Sequence, residues 1–245
     1  MLIVIPPIQE QMKIADCLDE KVSLIDRIIA KTTISIEEYK KYKQSLIRET
    51  VTKGLNPDAE MKDSEIDWIG KIPKGWAVTK IKNLCSMKSG TNLTSLQIND
   101  KGSYRVYGGN GIRGYYLEYN QDGNYILIGR QGALCGNIHL VQGKFWATEH
   151  AVVTTCRKNV EIKYCKMILE TMNLNQYSIA SAQPGLAISQ IINLGICLPP
   201  YYEQQKISEY LDGKCNYIDK LIAQKQQLRA ELQTYKKSRS EEHTS

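Results

Sequence analysis

A mixed α/β chain of the α+β type is predicted, with one globular β-rich domain between two long helices packed as an antiparallel coiled coil. Three observations carry this. A stretch near the start recurs near the end at a constant offset of 193 residues, with no gap through Ser238. Both copies show the three-four apolar spacing of an amphipathic helix. Between them the period shortens to β-rich runs separated by glycine, asparagine and aspartate.

The first copy reads Ile5-Pro6-Pro7-Ile8-Gln9-Glu10-Gln11-Met12-Lys13-Ile14 and continues through Leu18-Asp19 and Ile25-Asp26 to Tyr42-Lys43-Gln44-Ser45. The second reads Leu198-Pro199-Pro200-Tyr201-Tyr202-Glu203-Gln204-Gln205-Lys206-Ile207, then Leu211-Asp212, Ile218-Asp219 and Tyr235-Lys236-Lys237-Ser238. A match this long is a true internal repeat.

Residues 8–52 form the first helix. Proline suits a helix start because the first N–H groups lack partners. Ile14, Leu18, Ile25, Ile29, Ile36 and Tyr39 make an apolar stripe, and Gly54 and Pro57 stop the helix. Thr32-Thr33, both β-branched, are a weak point that could mark a break or a bend. Such a helix spans about 65 Å and needs a partner along its stripe. The second copy, with Ile207, Leu211, Ile218, Leu221, Leu228 and Leu232, supplies one. One helix ends where the middle domain begins and the other begins where it ends, so the pair runs antiparallel. The plain alternative is two helices packed separately on the domain.

Residues 53–75 read as a connector that ends in Trp68-Ile69-Gly70 and Ile72-Pro73-Lys74-Gly75-Trp76, with the two Trp as core or docking anchors. Strands follow at Val78–Leu84, Tyr104–Tyr107, Tyr115–Tyr119, Tyr125–Ile128, Ile138–Val141 and Ala151–Cys156, with Gln121-Asp122-Gly123-Asn124 as a separator. Tyr164 to Leu174 reads as helix, Ser189–Leu194 as a short element, and Gly195–Pro199 as a strand resembling Met1–Ile5. The expected domains are 1–55, 56–197 and 198–238. In residues 239–245 the apolar pair that the stripe requires is missing, so this segment is set apart as an aberrant tail.

The net charge of +6 is concentrated in the middle: residues 62–197 hold 15 Lys/Arg against 9 Asp/Glu, while the flanking segments are nearly balanced. That suggests a polyanion partner, although such a charge is also ordinary for a soluble domain. No stretch approaches a membrane span and no signal peptide is evident, which points to the cytoplasm. Seven cysteines at wide spacings read as free thiols.

Gly109-Asn110-Gly111-Ile112-Arg113-Gly114 matches a dinucleotide fingerprint, but a strand-like run follows where a helix is required. It reads as a glycine-rich turn. Pro199-Pro200-Tyr201 lacks the preceding Asn or Asp of the adenine methyltransferase motif. His139 and His150 with Cys135 and Cys156 match no zinc spacing. No catalytic set and no metal site are predicted. Gly129-Arg130-Gln131-Gly132 presents an Arg between glycines, where it could pair with phosphate or a guanine edge or tie loops together.

The duplicated Pro-Pro-x-x-Glu-Gln-x-x-Ile helix, the Trp68 to Trp76 entrance and the run Tyr107–Ile112, Gly129–Gly132, Phe145–Thr148 and Pro184-Gly185 together resemble the DNA-specificity (S) subunit of Type I restriction-modification systems. The resemblance covers nearly the whole chain except the tail. It implies a non-catalytic subunit in which a target-recognition domain reads one half of a split sequence on double-stranded DNA. The conserved helices then serve as spacer and docking region. It also implies methyltransferase (M) subunits carrying S-adenosylmethionine, and through them an ATP-Mg-dependent restriction (R) subunit, with no cofactor and no membrane partner for this chain. The family has two recognition domains where this chain has one, so it resembles a C-terminal half or a half-subunit that forms a homodimer. Candidate DNA contacts are Lys88, Asn92, Asn110, Arg113, Arg130, Gln131 and Gln183. Candidate docking and spacer residues are Glu10, Gln11, Ile14 and Leu18 with Glu203, Gln204, Ile207 and Leu211. The other reading is a degenerate fragment acting only as a protein-interaction scaffold.

Overall fold

The computed structural model describes residues 6–132, 134–178 and 185–241, with side chains described through Ser238 at the C-terminal end. The expectations for Met1–Ile5, Gln183, Pro184 and residues 242–245 lie outside the described residues. In chain order the elements are α1 (Ile8–Lys53), β1 (Met61–Asp63), β2 (Lys71–Pro73), β3 (Ala77–Lys80), α2 (Ile81–Leu84), β4 (Cys85–Ser89), β5 (Tyr104–Gly108), β6 (Gly111–Tyr116), β7 (Gln121–Gly129), β8 (Ile138–Ala147), β9 (Ala151–Cys156), α3 (Ile162–Thr171), α4 (Ile188–Ile191), β10 (Gly195–Leu198) and α5 (Tyr201–Glu241). They form two compact units, residues 1–45 with 213–245, and residues 46–212. Among the described residues no helix is long and apolar enough to cross a membrane.

The first unit is the helix pair. Thr32, Ile36, Ile218 and Ile222 are buried in its seam. Lys43 pairs with Asp219 at 2.6 Å, Lys225 lies over the Tyr39 ring at 5.6 Å, and Lys236 pairs with Asp26 at 2.6 Å. Positions fall along α1 as they rise along α5, so the helices are antiparallel. Lys236 and Asp219 are the repeat equivalents of Lys43 and Asp26. The two ion pairs therefore interchange under the 193-residue offset, which gives the pair an internal pseudo-twofold axis. Partly exposed pairs like these contribute about 0–1 kcal/mol each, so they set register more than stability. The helix does not break at Thr32-Thr33. The Thr33 hydroxyl donates to the Ile29 carbonyl at 2.9 Å, and the helix continues.

The Pro-Pro-x-x-Glu-Gln motif closes the start of each helix in the same way. Gln11 Nε2 donates to the Pro6 carbonyl at 2.7 Å, and Gln204 Nε2 donates to the Pro199 carbonyl at 2.9 Å. The proline carbonyls of residues 7 and 200 accept the first backbone N–H groups. The backbone of α5 stays helical to Glu241, into the segment set apart as a tail.

The second unit holds a six-stranded sheet of order β4-β9-β7-β8-β5-β6, with two-stranded sheets β1-β2 and β10-β3. Several boundaries differ from expectation. Ile81–Leu84 is one helical turn, not strand, because Ile81 and Leu84 point together into the core. β4 follows it, and the connector contains β1 and β2. The β6 strand starts at Gly111 and ends at Tyr116. The separator Gln121–Asn124 lies inside β7, and β8 runs on to Ala147. There Gly123 faces Gly143, at φ 136° and 83°, and paired glycines let both strands turn sharply without breaking the ladder. Only Thr148–His150 join β8 to β9 although β7 lies between them, so the sheet curls strongly.

One face of the sheet carries Tyr107, Leu127, Val141, Phe145, Ala147, Ala151 and Val153 inside the curl. The other packs Ile126, Ile128, Val152 and Met87 against Cys165 and Leu169 of α3. A third core joins the C-terminal turns of α1 and the N-terminal turns of α5 through Val51, Trp76, Tyr164, Ile168, Ile207 and Leu211. At its centre the Tyr164 hydroxyl, fully buried, lies 3.2 Å from both the Val51 and Cys197 carbonyls. Burial holds its ionisation well above the usual tyrosine range, so it stays a donor. Tyr164→Phe keeps the ring and removes that donor. Urea denaturation should show a loss of about 1–3 kcal/mol; an unchanged midpoint would mean the hydroxyl holds nothing.

Candidate nucleic-acid interface

The curl brings four loop segments to one mouth. They are the end of β4 with the loop after it, the β5–β6 turn, the segment after β7, and Thr148–His150. Backbone bonds lock them together. Gly90 N–H donates to Ala151 O, Thr91 N–H to Ala147 O, Thr148 N–H to Tyr107 O and Arg130 N–H to His150 O, at 2.8–2.9 Å. Glycine makes this approach possible. A Cβ on Gly90 would lie 2.3 Å from the Ala147 carbonyl oxygen, and one on Gly129 would lie 2.0 Å from that of Gly109.

Asn110, Arg113 and Gln131 line one open concavity of about 500 Å³ with Gly109, Ile112, Gly132 and His150. Asn110 is oriented from below: its Oδ1 accepts from Asn137 Nδ2 at 2.9 Å. The Arg113 stem lies across Gly108, where a Cβ would meet its Cδ at 2.4 Å. Arg130 stands beside this group. Its Nη1 donates to Ser89 Oγ at 3.1 Å, and its carbonyl accepts from Leu186 N–H at 2.9 Å. Part of its role is therefore to tie β4 to the segment after β7. Lys88 is exposed on the same strand as Ser89. Asn92 is exposed in the following loop, outside the concavity, where Trp146 Nε1 holds the Thr91 carbonyl at 3.2 Å.

His150 is a lining residue that the sequence offered neither as a metal ligand nor as the partner of a nucleophile, and that was expected in a core or hydrogen-bonded role. Its Nε2 lies 3.0 Å from Glu149 Oε1. Ser89 was not legible in the sequence, because a residue that orients another across loops has no local spacing. His139 lies beneath the β5–β6 turn, with Nε2 buried and without a hydrogen-bond partner among the described residues. Desolvation pulls its pKa below the ordinary value, so the ring is neutral at pH 7. Among the described residues no group of three or more His, Cys, Asp or Glu is placed to hold a metal ion. The Gly109–Gly114 run forms a turn and a strand, with no helix to receive a pyrophosphate.

The docking candidates divide by copy. In the second copy Gln204, Ile207 and Leu211 are buried within the unit and offer no surface to a partner. Gln204 Oε1 accepts Glu161 N–H at 2.9 Å, Ser208 Oγ donates to Glu161 Oε2 at 2.6 Å, and Glu203 Oε2 accepts Trp76 Nε1 at 3.0 Å. These residues join helix to sheet domain. In the first copy Glu10 is exposed, Ile14 is 43% exposed, and Gln11 and Leu18 are half-buried. A larger open concavity, about 680 Å³, lies beside Glu203 and is lined by Pro57, Pro73, Trp76, Pro200, Tyr202 and Lys206.

The family model described as type I restriction modification DNA specificity domain matches residues 73–234. The chain is 42% identical over 133 residues to the Type I restriction enzyme EcoprrI specificity subunit of Escherichia coli, covering 53% of this chain and 33% of that protein. It is 25% identical over 262 aligned positions to the MjaVIII specificity subunit of Methanocaldococcus jannaschii, covering 95% and 59%. The fold is similar to a chain from a structure on complex assembly and conformational transition of the type I R-M system, with TM-score 0.74, 16% identity and coverage of 96% and 58%. It is also similar to the HsdS subunit of Thermoanaerobacter tengcongensis, with TM-score 0.60, 16% identity and coverage of 96% and 57%. The chain thus spans a third to three-fifths of these two curated relatives.

The glycine contacts give a test of the mouth. Gly90→Ala should cost about 1–3 kcal/mol in chemical denaturation, because two carbonyls must move. Gly75→Ala, where a Cβ meets nothing within 4 Å, should stay within about 0.5 kcal/mol.

Proposed function

Because the chain belongs to the family of type I restriction modification DNA specificity domains, we propose that it reads one half of a bipartite site on double-stranded DNA. One observation carries this: Asn110, Arg113 and Gln131, far apart from Lys88 in sequence, converge with Arg130 at one rigid mouth of a curled sheet. Amide and guanidinium groups held on immobile backbone are what base-edge readout requires. Lys88 and Asn92 at the rim, and Gln183, complete the proposed contact set.

The chain itself performs no chemistry in this reading and holds no cofactor. S-adenosylmethionine and ATP-Mg belong to methyltransferase and restriction subunits that it recruits in the cytoplasm. The helix pair is the proposed spacer and docking region. The exposed docking residues would be Glu10, Ile14 and the Tyr202–Lys206 rim, since Gln204, Ile207 and Leu211 serve the fold. A homodimer of half-subunits is the further assembly proposed; it would use surface other than the α1–α5 seam, where Lys43 and Asp26 already pair with Asp219 and Lys236 of the same chain.

Methylation mapping of the complex reconstituted with its methyltransferase subunit tests the reading. A defined split sequence is expected, palindromic if the chain dimerises. No sequence preference at any salt concentration would leave only a scaffold. Arg113→Ala should relax one base position at a cost of about 1–3 kcal/mol, while Lys88→Ala should weaken all sequences alike and lower the salt slope by about one. Both are measurable by binding titrations on site and scrambled duplexes.

A further inference from the structure

The turn between β5 and β6 consists of Gly109 and Asn110, since Gly108 and Gly111 face each other in the ladder. It is pressed onto the segment after β7: a Cβ on Gly109 would lie 3.1 Å from the Gln131 carbonyl oxygen and 3.2 Å from that of His150. Asn137 is held from the other side. Its N–H donates to the Leu134 carbonyl at 3.2 Å, and its own carbonyl accepts from Gly129 N–H at 2.8 Å. The preceding Gly136, at φ 89°, packs on the Leu174–Asn175 backbone, where a Cβ would come within 2.6 Å of Asn175 N. Two asparagines 27 residues apart therefore meet on backbones that have little room to move.

Their contact has a direction. A carboxamide has an acceptor end and a donor end. Asn137 Nδ2 donates to Asn110 Oδ1 at 2.9 Å, so the acceptor end of Asn110 is turned toward Asn137. Its donor end, Nδ2, has no partner among the described residues, and Asn110 lines the concavity. Arg113, which lines it as well, carries donors only. Of the four bases guanine alone shows two adjacent acceptors, O6 and N7, and no donor in the major groove. Adenine and cytosine both show an exocyclic amino group there. An asparagine that reads adenine uses both ends of its amide, whereas the oxygen of Asn110 is already engaged.

We propose, building on the mouth as a DNA-reading surface, that Asn137 is a positioning residue that fixes Asn110 as a hydrogen-bond donor, so that the mouth selects guanine at the base pair facing Asn110. The two hydrogens of Asn110 Nδ2 go to guanine O6 and N7. Asn137 touches no base. It determines that the DNA meets hydrogens at this place and not an oxygen. A phosphate would also accept from Nδ2, but a phosphate contact carries no base choice.

The test presents the complex reconstituted with its methyltransferase subunit with duplexes randomised across the half-site. The wild-type complex is expected to fix a guanine at one position. Replacing that guanine by 7-deazaguanine, which lacks N7, should weaken binding about tenfold. In Asn137→Asp the carboxylate can only accept, so the Asn110 amide turns over and presents Oδ1. The choice at that one position should then move from guanine to adenine or cytosine by about tenfold, while the other positions hold. Asn137→Leu should leave the position undecided. The charge added by Asn137→Asp weakens binding to every duplex, so the readout is the base choice and not the affinity. An unchanged base choice in both variants overturns the proposal; a loss of affinity shared by all sequences would then mark a phosphate contact. If both variants fail to fold, the wild-type complex still decides: no deazaguanine penalty at any guanine of the half-site overturns the proposal. A wild-type complex with no preference at any position would defeat the DNA reading as a whole, whereas a defined half-site indifferent to Asn137 defeats this step alone.

Discussion

The second unit depends on satisfying a helix start inside a core. The first turns of α5 enter buried surroundings, where unpaired backbone and side-chain polar groups are costly. Gln204 answers several at once. It returns to the Pro199 carbonyl and accepts the N–H of Glu161, whose own carboxylate caps α3 through the Tyr164 N–H at 2.6 Å. Tyr164 then bridges the end of α1 and β10 with one hydroxyl. Helix start, α3 and the entrance Trp76 are therefore one connected polar network in an apolar setting, and losing one member exposes others.

The same motif in two surroundings separates local from tertiary function. Gln11 and Gln204 make the same return to a proline carbonyl, which needs only neighbouring residues. Among the described residues, only Gln204 makes the second set of bonds. Ile207 and Leu211 are fully buried while Ile14 is 43% exposed, although the repeat equates Ile14 with Ile207. A motif that starts a helix in both places holds a domain in one.

Curling of the sheet links the core to the proposed interface. Facing glycines at 123 and 143 let two strands bend together, and Gly90, Gly109 and Gly129 let the loop backbones touch. Side chains on loops whose backbones are tied together in this way would have less freedom to lose on meeting a ligand. Arg130 belongs to this support as well as to the rim, through its bond to Ser89.

The repeat, the extent of the first helix, most strand positions and the absence of a nucleotide fingerprint helix were legible in the residues, because periodicity and proline or glycine punctuation act over a few neighbours; the end of the second helix was placed too early, at Ser238. Arg113, Asn110 and Gln131 were legible as candidates for the same reason, being polar side chains in glycine-rich turns. Their convergence was not. Neither was the burial of Gln204, the inclusion of Gln121–Asn124 in a strand, nor the pairing of Cys85 with Cys156 across the β4–β9 ladder. Each of these rests on contacts between residues far apart in the chain, set by how the sheet curls and what packs on it. The sequence by itself determined the elements and the family likeness. The tertiary structure decided which copies of equal residues are buried and which side chains share one mouth, because burial and approach are properties of the packed chain and not of local spacing.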